Sequence, residues 1–411
     1  MSSFIFPDLQ QHLDMLSRVI GPRPVGSAGN LRAEAYIAQQ LEAAGYEVRH
    51  QHFECDDWKL RSASVEIDGV SLPVRSNSYS MSCDVCAPIV MAHTFDELKS
   101  LDLHGCVVVL HGGLSADPWQ PRHFRFFSIK DQLRLREELE RAQPLAVITI
   151  SPRNEHVRPI IEDGDFHIPS VTVNSVSGAR LVASEGHLVH MRIDSWSQPS
   201  TGANVIADSM MRPRGLAPQV LLCAHYDTKH ESPGALDNAS GVAAMLVLAQ
   251  HLATRRDVEL QCVALNGHDH FATPGQNVYQ SFIDDACDSL DLVINFDDIG
   301  YQTTSNTVAF MNCTDRFVQH VRELMSAWPD IFEIGPWPQG DHAAFWSAGV
   351  PSVAFTSEAS FTLPDRVTHT PLDVVENVNT ASIADVVDFA EHALIRAIIS
   401  MPARRRRDSA S

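Results

Sequence analysis

The sequence predicts an α/β protein with a second, mainly β module inserted into it. Three observations carry this expectation. After Ser200-Thr201-Gly202, apolar strand-like runs alternate with helical segments, the pattern of a sheet covered by helices. One of those helices, 242–252, is apolar nearly all round and must be buried. Between about 58 and 198 the texture changes to short β-like runs punctuated by Pro and Gly. The expected domains are residues 1–57 with 199–402 as the α/β part, 58–198 as the insert, and 403–411 as a basic disordered tail around Arg404 to Arg407.

In chain order, Ile20 to Ser27 is turn-rich, and a helix over 28–44 follows from apolar groups at helical spacing (Ala33, Ile37, Leu41, Ala44), with Gly45 placed to end it. Tyr46 to His50 alternates as a strand does. The insert offers strands at Val65-Glu66-Ile67, Cys106 to Leu110, Ala146 to Ile150, Val171-Thr172-Val173 and Leu188 to Ile193, and a charged helix over 131–142. In the α/β part, Val220 to Ala224, Leu260 to Leu265, Leu292 to Phe296, Val308 to Met311 and Ser352 to Phe355 read as strands, and 380–399 as an amphipathic helix.

The chain has 411 residues, 44% of them hydrophobic, enough for a real core and two domains. Its formal net charge of −20 disfavours nucleic acid and anionic membranes as partners. No window matches a membrane helix, and the N-terminus lacks the basic and apolar regions of a secretion signal, so the expected location is cytoplasmic. Eight cysteines are scattered, several inside apolar strands (Cys106, Cys223, Cys262), as suits free thiols in a reducing compartment. Cys83 and Cys86 form a lone C-x-x-C with no second pair nearby, a weak signal for metal or redox work. A G-x-S-x-G elbow and a phosphate-binding loop are both absent.

The chemistry concentrates at strand ends of the α/β part. His225 follows the strand 220–224, Asp237 opens the buried helix, Asp269 follows 260–265, Asp297 follows 292–296, and His369 sits in Thr368-His369-Thr370-Pro371. Ligands of α/β sheets gather outside the carboxyl ends of strands, so these loops can converge. Imidazole and carboxylate are zinc ligands, and a zinc pair needs one carboxylate that bridges both ions. Asp227, two residues after His225, projects to the same side of an extended segment and can orient the imidazole. Asp298 adjoins Asp297 and in a strand should point the other way. His270 reads as a plain loop histidine.

His225-Tyr226-Asp227, Ala235-Leu236-Asp237-Asn238-Ala239-Ser240-Gly241, Asn295-Phe296-Asp297 and His369-Thr370-Pro371 resemble the metal-site motifs of the co-catalytic two-zinc aminopeptidase family, which also includes glutamate carboxypeptidases and glutaminyl cyclases. Gly340-Asp341-His342-Ala343-Ala344-Phe345 resembles another segment of that family, which implies that Asp341 and His342 lie near the site on the substrate side or behind the ligands. Gly21 to Ser27 is similar to the family's first turn. Leu101 to Val109 is the best segment of a likeness between the insert and a protease-associated domain. The resemblance implies a mixed central sheet flanked by helices, of zinc exopeptidase type, and two zinc ions. His225 and Asp297 would hold one ion, Asp269 and His369 the other, and Asp237 would bridge them, with Asp227 behind His225.

One residue departs from the family pattern. Where a Glu general base is expected, just before the ligand Asp269, the chain has His268. A carboxylate stays unprotonated beside cations. An imidazole has an unperturbed pKa of about 6.5 and cannot balance the charge of two metals, though it can accept a proton or bind a metal itself. Loss of a positioned base costs ~10²–10⁴ in rate. The leading expectation is a zinc-dependent, aminopeptidase-like exopeptidase that attacks peptide bonds with a metal-bridged water. The alternatives are a weakened or inactive peptide-binding relative and a glutaminyl-peptide cyclase.

Overall fold

The computed structural model of the protein describes residues 5–122, 129–153, 157–210, 217–286, 289–362 and 367–401, so the expected basic tail lies outside the described residues. The chain forms two compact units, Met1–Cys55 with Ser200–Ser411, and Asp56–Pro199.

The first unit is built on a mixed sheet. Four parallel strands occupy its centre, in the order Ser352–Ser357, Leu292–Phe296, Gln219–His225, Glu259–Leu265. Asn306–Met311 pairs antiparallel with Ser352–Ser357, and Ile331–Glu333 lies beyond it. At the other side, Val205 to Asp208 runs antiparallel to Glu259–Leu265. The run Val220-Leu221-Leu222-Cys223-Ala224 is wholly buried, which is why it shows no alternation: a strand covered on both faces needs apolar groups on both. Helix Gly241–Leu252 lies in the same core as helices Ile5–Leu13, Ala28–Ala43 and Thr380–Phe389. Ser27 caps Ala28–Ala43 by accepting from the Asn30 N–H at 3.1 Å, and Gly45, at φ +91°, releases the chain into the next strand. The last helix continues from Phe389 through a π-helical stretch, Ala390–Ile395, into Arg396–Ile399. Helices Pro274–Ala286 and Asp315–Leu324 were not anticipated from the sequence. Thr314 caps the second of these.

The second unit has parallel strands Cys83–Ala92, Val107–Leu110, Ala146–Ile150 and Ser170–Val173, with Val74–Ser76 antiparallel at one edge and Leu188 to Ile193 antiparallel at the other. Helices Phe95–Ser100 and Lys130–Ala142 sit in the first two crossovers, as parallel pairing demands. A buried ion pair, Arg136 to Asp163 at 3.2 Å, ties the longer helix to its core. Among the described residues no helix is long and apolar enough to cross a membrane. Seven cysteines are described and none is in a disulfide; burial raises the Cys83 thiol to about 11, opposite to a redox-active thiol.

Candidate metal centre

Register brings the site together. Leu265 pairs with His225, and Phe296 with Phe355, so the segments that leave these strands start at one level of the sheet. His225 is the last residue of its strand, Asp297 follows Phe296, and Asn266 to His270 follows Leu265. Asp237 lies in a non-helical turn (φ −112°, ψ 90°) ahead of the buried helix. It does not cap that helix; the Gly241 N–H donates instead to Asn238 Oδ1 at 3.0 Å. His369 reaches the site from a loop position at φ +61°.

The five expected ligands meet. Asp237 Oδ1 lies 3.2 Å from His225 Nε2, and Asp237 Oδ2 lies 2.8 Å from His369 Nε2. Asp297 Oδ1 is 3.4 Å from His225 Nε2, and Asp269 Oδ1 is 3.3 Å from His369 Nε2. Ligand atoms of Asp237, Asp269 and His369 lie within 4.8 Å of one another, as do those of His225, His268 and Asp297. No well-formed hydrogen bond satisfies either ring nitrogen of His225, although both are buried with carboxylates facing them, and Asp269 Oδ2 is buried without a partner. Buried polar atoms are ordinarily satisfied, so orphans that converge on shared points fit a pair of cations. The charge balance agrees. Burial opposes the imidazolium at His225, yet Asp227, Asp237 and Asp297 outweigh it and raise its pKa well above the ordinary value. Burial likewise opposes ionisation of Asp237, but His225 and His369 hold its carboxyl well below the usual range. The cluster draws positive charge, as a zinc site of carboxylates and imidazoles does.

Behind these residues stands a set of braces. Asp227 lies 3.5 Å from His225 Nδ1, but its carboxylate also accepts the N–H groups of Gly267 (2.8 Å), His268 (3.0 Å) and Asp269 (2.9 Å). It fixes two ligand segments at once, more than the orienting role read from its spacing. Asp373 accepts from the backbone N–H groups of Leu236 (2.7 Å) and Asp237 (3.1 Å). Arg23 is fully buried and donates to the carbonyls of Leu16, Gly21, Tyr226, Pro233 and Gly234, clamping the chain after His225 to the turn before Asp237. Neither Arg23 nor Asp373 stood out in the sequence; Arg23 lies inside the segment Gly21 to Ser27, and Asp373 lies just past His369-Thr370-Pro371, outside every motif read.

The other candidates divide. Asp341 Oδ1 lies 3.1 Å from His268 Nδ1 and accepts from Gln276 Nε2 at 2.9 Å, so it backs the site through His268. His342 turns away: its Nε2 lies 2.9 Å from the Trp337 carbonyl and its Nδ1 3.4 Å from Asn295. His270 is buried, which lowers its pKa to about 3, and its Nδ1 accepts the Ala272 N–H. Asp298 corrects the expectation that it points away. The strand ends at Phe296, Asp298 takes φ +53°, and its carboxylate comes within the same 4.8 Å cluster as Asp237 and Asp297; alternation no longer applies there. Burial and those two carboxylates raise its pKa well above the ordinary value.

His268 stands in the centre of the site. Its ring stacks on that of His225 (centroids 4.4 Å apart, planes at 22°). Burial and His225 disfavour its cationic form, but Asp341 and then Asp297 outweigh them, and protein charges alone raise its pKa to about 9.

Known proteins resemble this chain in sequence and in fold. Residues 204–394 match the model of peptidase family M28. A probable lipoprotein aminopeptidase of Mycobacterium tuberculosis is 26% identical over 309 residues, 70% of this chain, which spans 58% of that relative's length. An aminopeptidase of Bacillus subtilis is 22% identical over 94% of this chain and 83% of its own. Among solved structures, the zinc aminopeptidase BSAP from Bacillus subtilis superposes with a TM-score of 0.74 at 20% identity, over 95% of this chain and 94% of that one, a likeness of fold. Over residues 204–394 the α/β unit is thus similar to peptidase family M28.

Proposed function

We propose that this chain is a zinc-dependent, aminopeptidase-like exopeptidase whose turnover is limited by His268. One observation carries the reading: the two oxygens of Asp237 face two different histidines, His225 at 3.2 Å and His369 at 2.8 Å, as a carboxylate shared by two ions must. His225 and Asp297 would hold one zinc, Asp269 and His369 the other, and Asp237 both. Bound there, zinc would supply Lewis-acid polarisation of the scissile carbonyl and an acidified water. The chain's own part is to hold this arrangement rigid. Asp227 pins the segment that carries His268 and Asp269, Asp373 pins Asp237, and Asp341 holds Nδ1 of His268 and so fixes its ring.

A second reading, a peptide-binding relative without turnover, is favoured by one feature. His268, an imidazole, stands where the family's carboxylate base is expected, and loss of a positioned base costs ~10²–10⁴ in rate. A peptide panel on wild type and His268→Glu separates the two. Measurable hydrolysis by wild type, raised ~10²–10⁴-fold in the variant, supports the first. Inert wild type with an active variant supports the second. Fewer than one zinc per chain after purification would count against both. Cyclisation of a glutaminyl peptide is the remaining alternative and is assayed on the same samples. The unit 58–198 is proposed as a protease-associated-like module that accompanies a peptide substrate site. The seven described cysteines, none in a disulfide, suit work in a reducing compartment.

A further inference from the structure

We infer that His268 is itself a metal ligand: with His225, Asp297 and the shared Asp237 it closes a four-ligand site, while Asp237, Asp269 and His369 make a three-ligand site with a position open. The inference rests on the two-metal reading proposed above and assigns unequal roles to the two ions.

The geometry is specific. The ligand atoms of His225, His268 and Asp297 lie within 4.8 Å of one another, a grouping as tight as that of Asp237, Asp269 and His369. The His268 ring centroid lies 4.4 Å from that of His225, with the planes at 22°. Its Nδ1 is engaged by Asp341 Oδ1 at 3.1 Å, and Asp341 is held in turn by Gln276 at 2.9 Å. A carboxylate on one imidazole nitrogen fixes the ring's orientation, the arrangement that commonly backs a metal-bound histidine. The backbone of His268 is equally fixed, its N–H donating to Asp227 at 3.0 Å. A side chain braced at both ends beside a second imidazole and two carboxylates is built to hold position.

Coordination chemistry then separates the sites. Zinc held by four protein groups is characteristic of structural sites, and zinc held by three with a vacant position is characteristic of catalytic ones. Two imidazoles and two carboxylates also favour zinc or cobalt over magnesium or calcium. Replacement of a carboxylate base by His268 therefore does more than remove a base. It closes one site and leaves the ion on Asp269 and His369 as the one that can meet a substrate.

The test is metal titration of the full-length, chelator-stripped protein with Co²⁺ and with Zn²⁺ against a chromophoric chelator. Wild type should take up two ions, one at least ~10²-fold tighter than the other, the tighter Co²⁺ giving the intense visible band of a four-coordinate ion. His268→Ala should weaken the tighter ion by ~10²-fold or more and lose that band, while Asp269→Asn should weaken only the looser ion. His268→Gln serves as a second variant, with circular dichroism as the check on folding. If either folded His268 variant keeps both affinities and the band, His268 is not a ligand and the two-metal centre stands without it. If wild type takes up two ions but lacks the four-coordinate band, the closed site is overturned. Uptake of fewer than two ions by wild type overturns the centre itself.

Discussion

Arg23→Lys is the sharpest test of how the site is held. The Arg23 guanidinium donates to five backbone carbonyls, those of Leu16, Gly21, Tyr226, Pro233 and Gly234, at 2.7–3.0 Å. Burial lowers its pKa to about 10, yet it stays charged at neutral pH, with Asp373 and Asp227 nearby to favour the cation. A lysine keeps the charge but offers three N–H groups from a single atom, so at least two carbonyls lose their donor. An unsatisfied buried polar group costs about 1–3 kcal/mol, so the substitution should cost ~2–6 kcal/mol of a total stability of roughly 5–15 kcal/mol. Because Tyr226 adjoins His225 and Gly234 lies close to Asp237, the loss should also weaken zinc binding. Urea unfolding of the metal-free protein gives the first quantity, and competition with a chelator the second. If Arg23→Lys unfolds within ~0.5 kcal/mol of wild type and binds zinc as tightly, the clamp is not what sets these loops, and the role assigned to Arg23 is wrong.

Asp237→Asn should lower bound zinc to well under one ion per chain by elemental analysis, because the substitution removes the charge both histidines face; full retention of two ions would refute the sharing. Burial pushes His12 down to about 4, so the folded state resists a proton that the unfolded chain takes up below about pH 6.5. Stability from His12 is therefore present above about pH 6.5 and is lost as pH falls towards 4, by roughly 3 kcal/mol at about 1.36 kcal/mol per unit. Urea midpoints at pH 4.5 and 7 should converge in His12→Phe relative to wild type. Gly241→Ala should destabilise by about 1–3 kcal/mol in thermal unfolding, because a Cβ there would meet the Phe296 carbonyl oxygen and Asn238 Oδ1 at 2.3 Å.

The sequence by itself determined the local layout of this protein. Apolar runs such as Val220 to Ala224 and Leu292 to Phe296 mark buried strands because side-chain burial depends on period and composition, which are local. The residues after those strands could be read as ligands because few side-chain types bind zinc. Tertiary structure alone decided which loops meet. The strand that ends in His225 lies between the strands before Asp269 and Asp297, an order that does not follow the chain, and this order sets the distances among the candidate ligands. It decided too that Asp298 turns in, through a left-handed turn past the strand end, and that His342 turns out. Arg23 and Asp373 were illegible for a related reason. They act on backbone carbonyls and amides, which every residue possesses, so the partners leave no mark in residue identity.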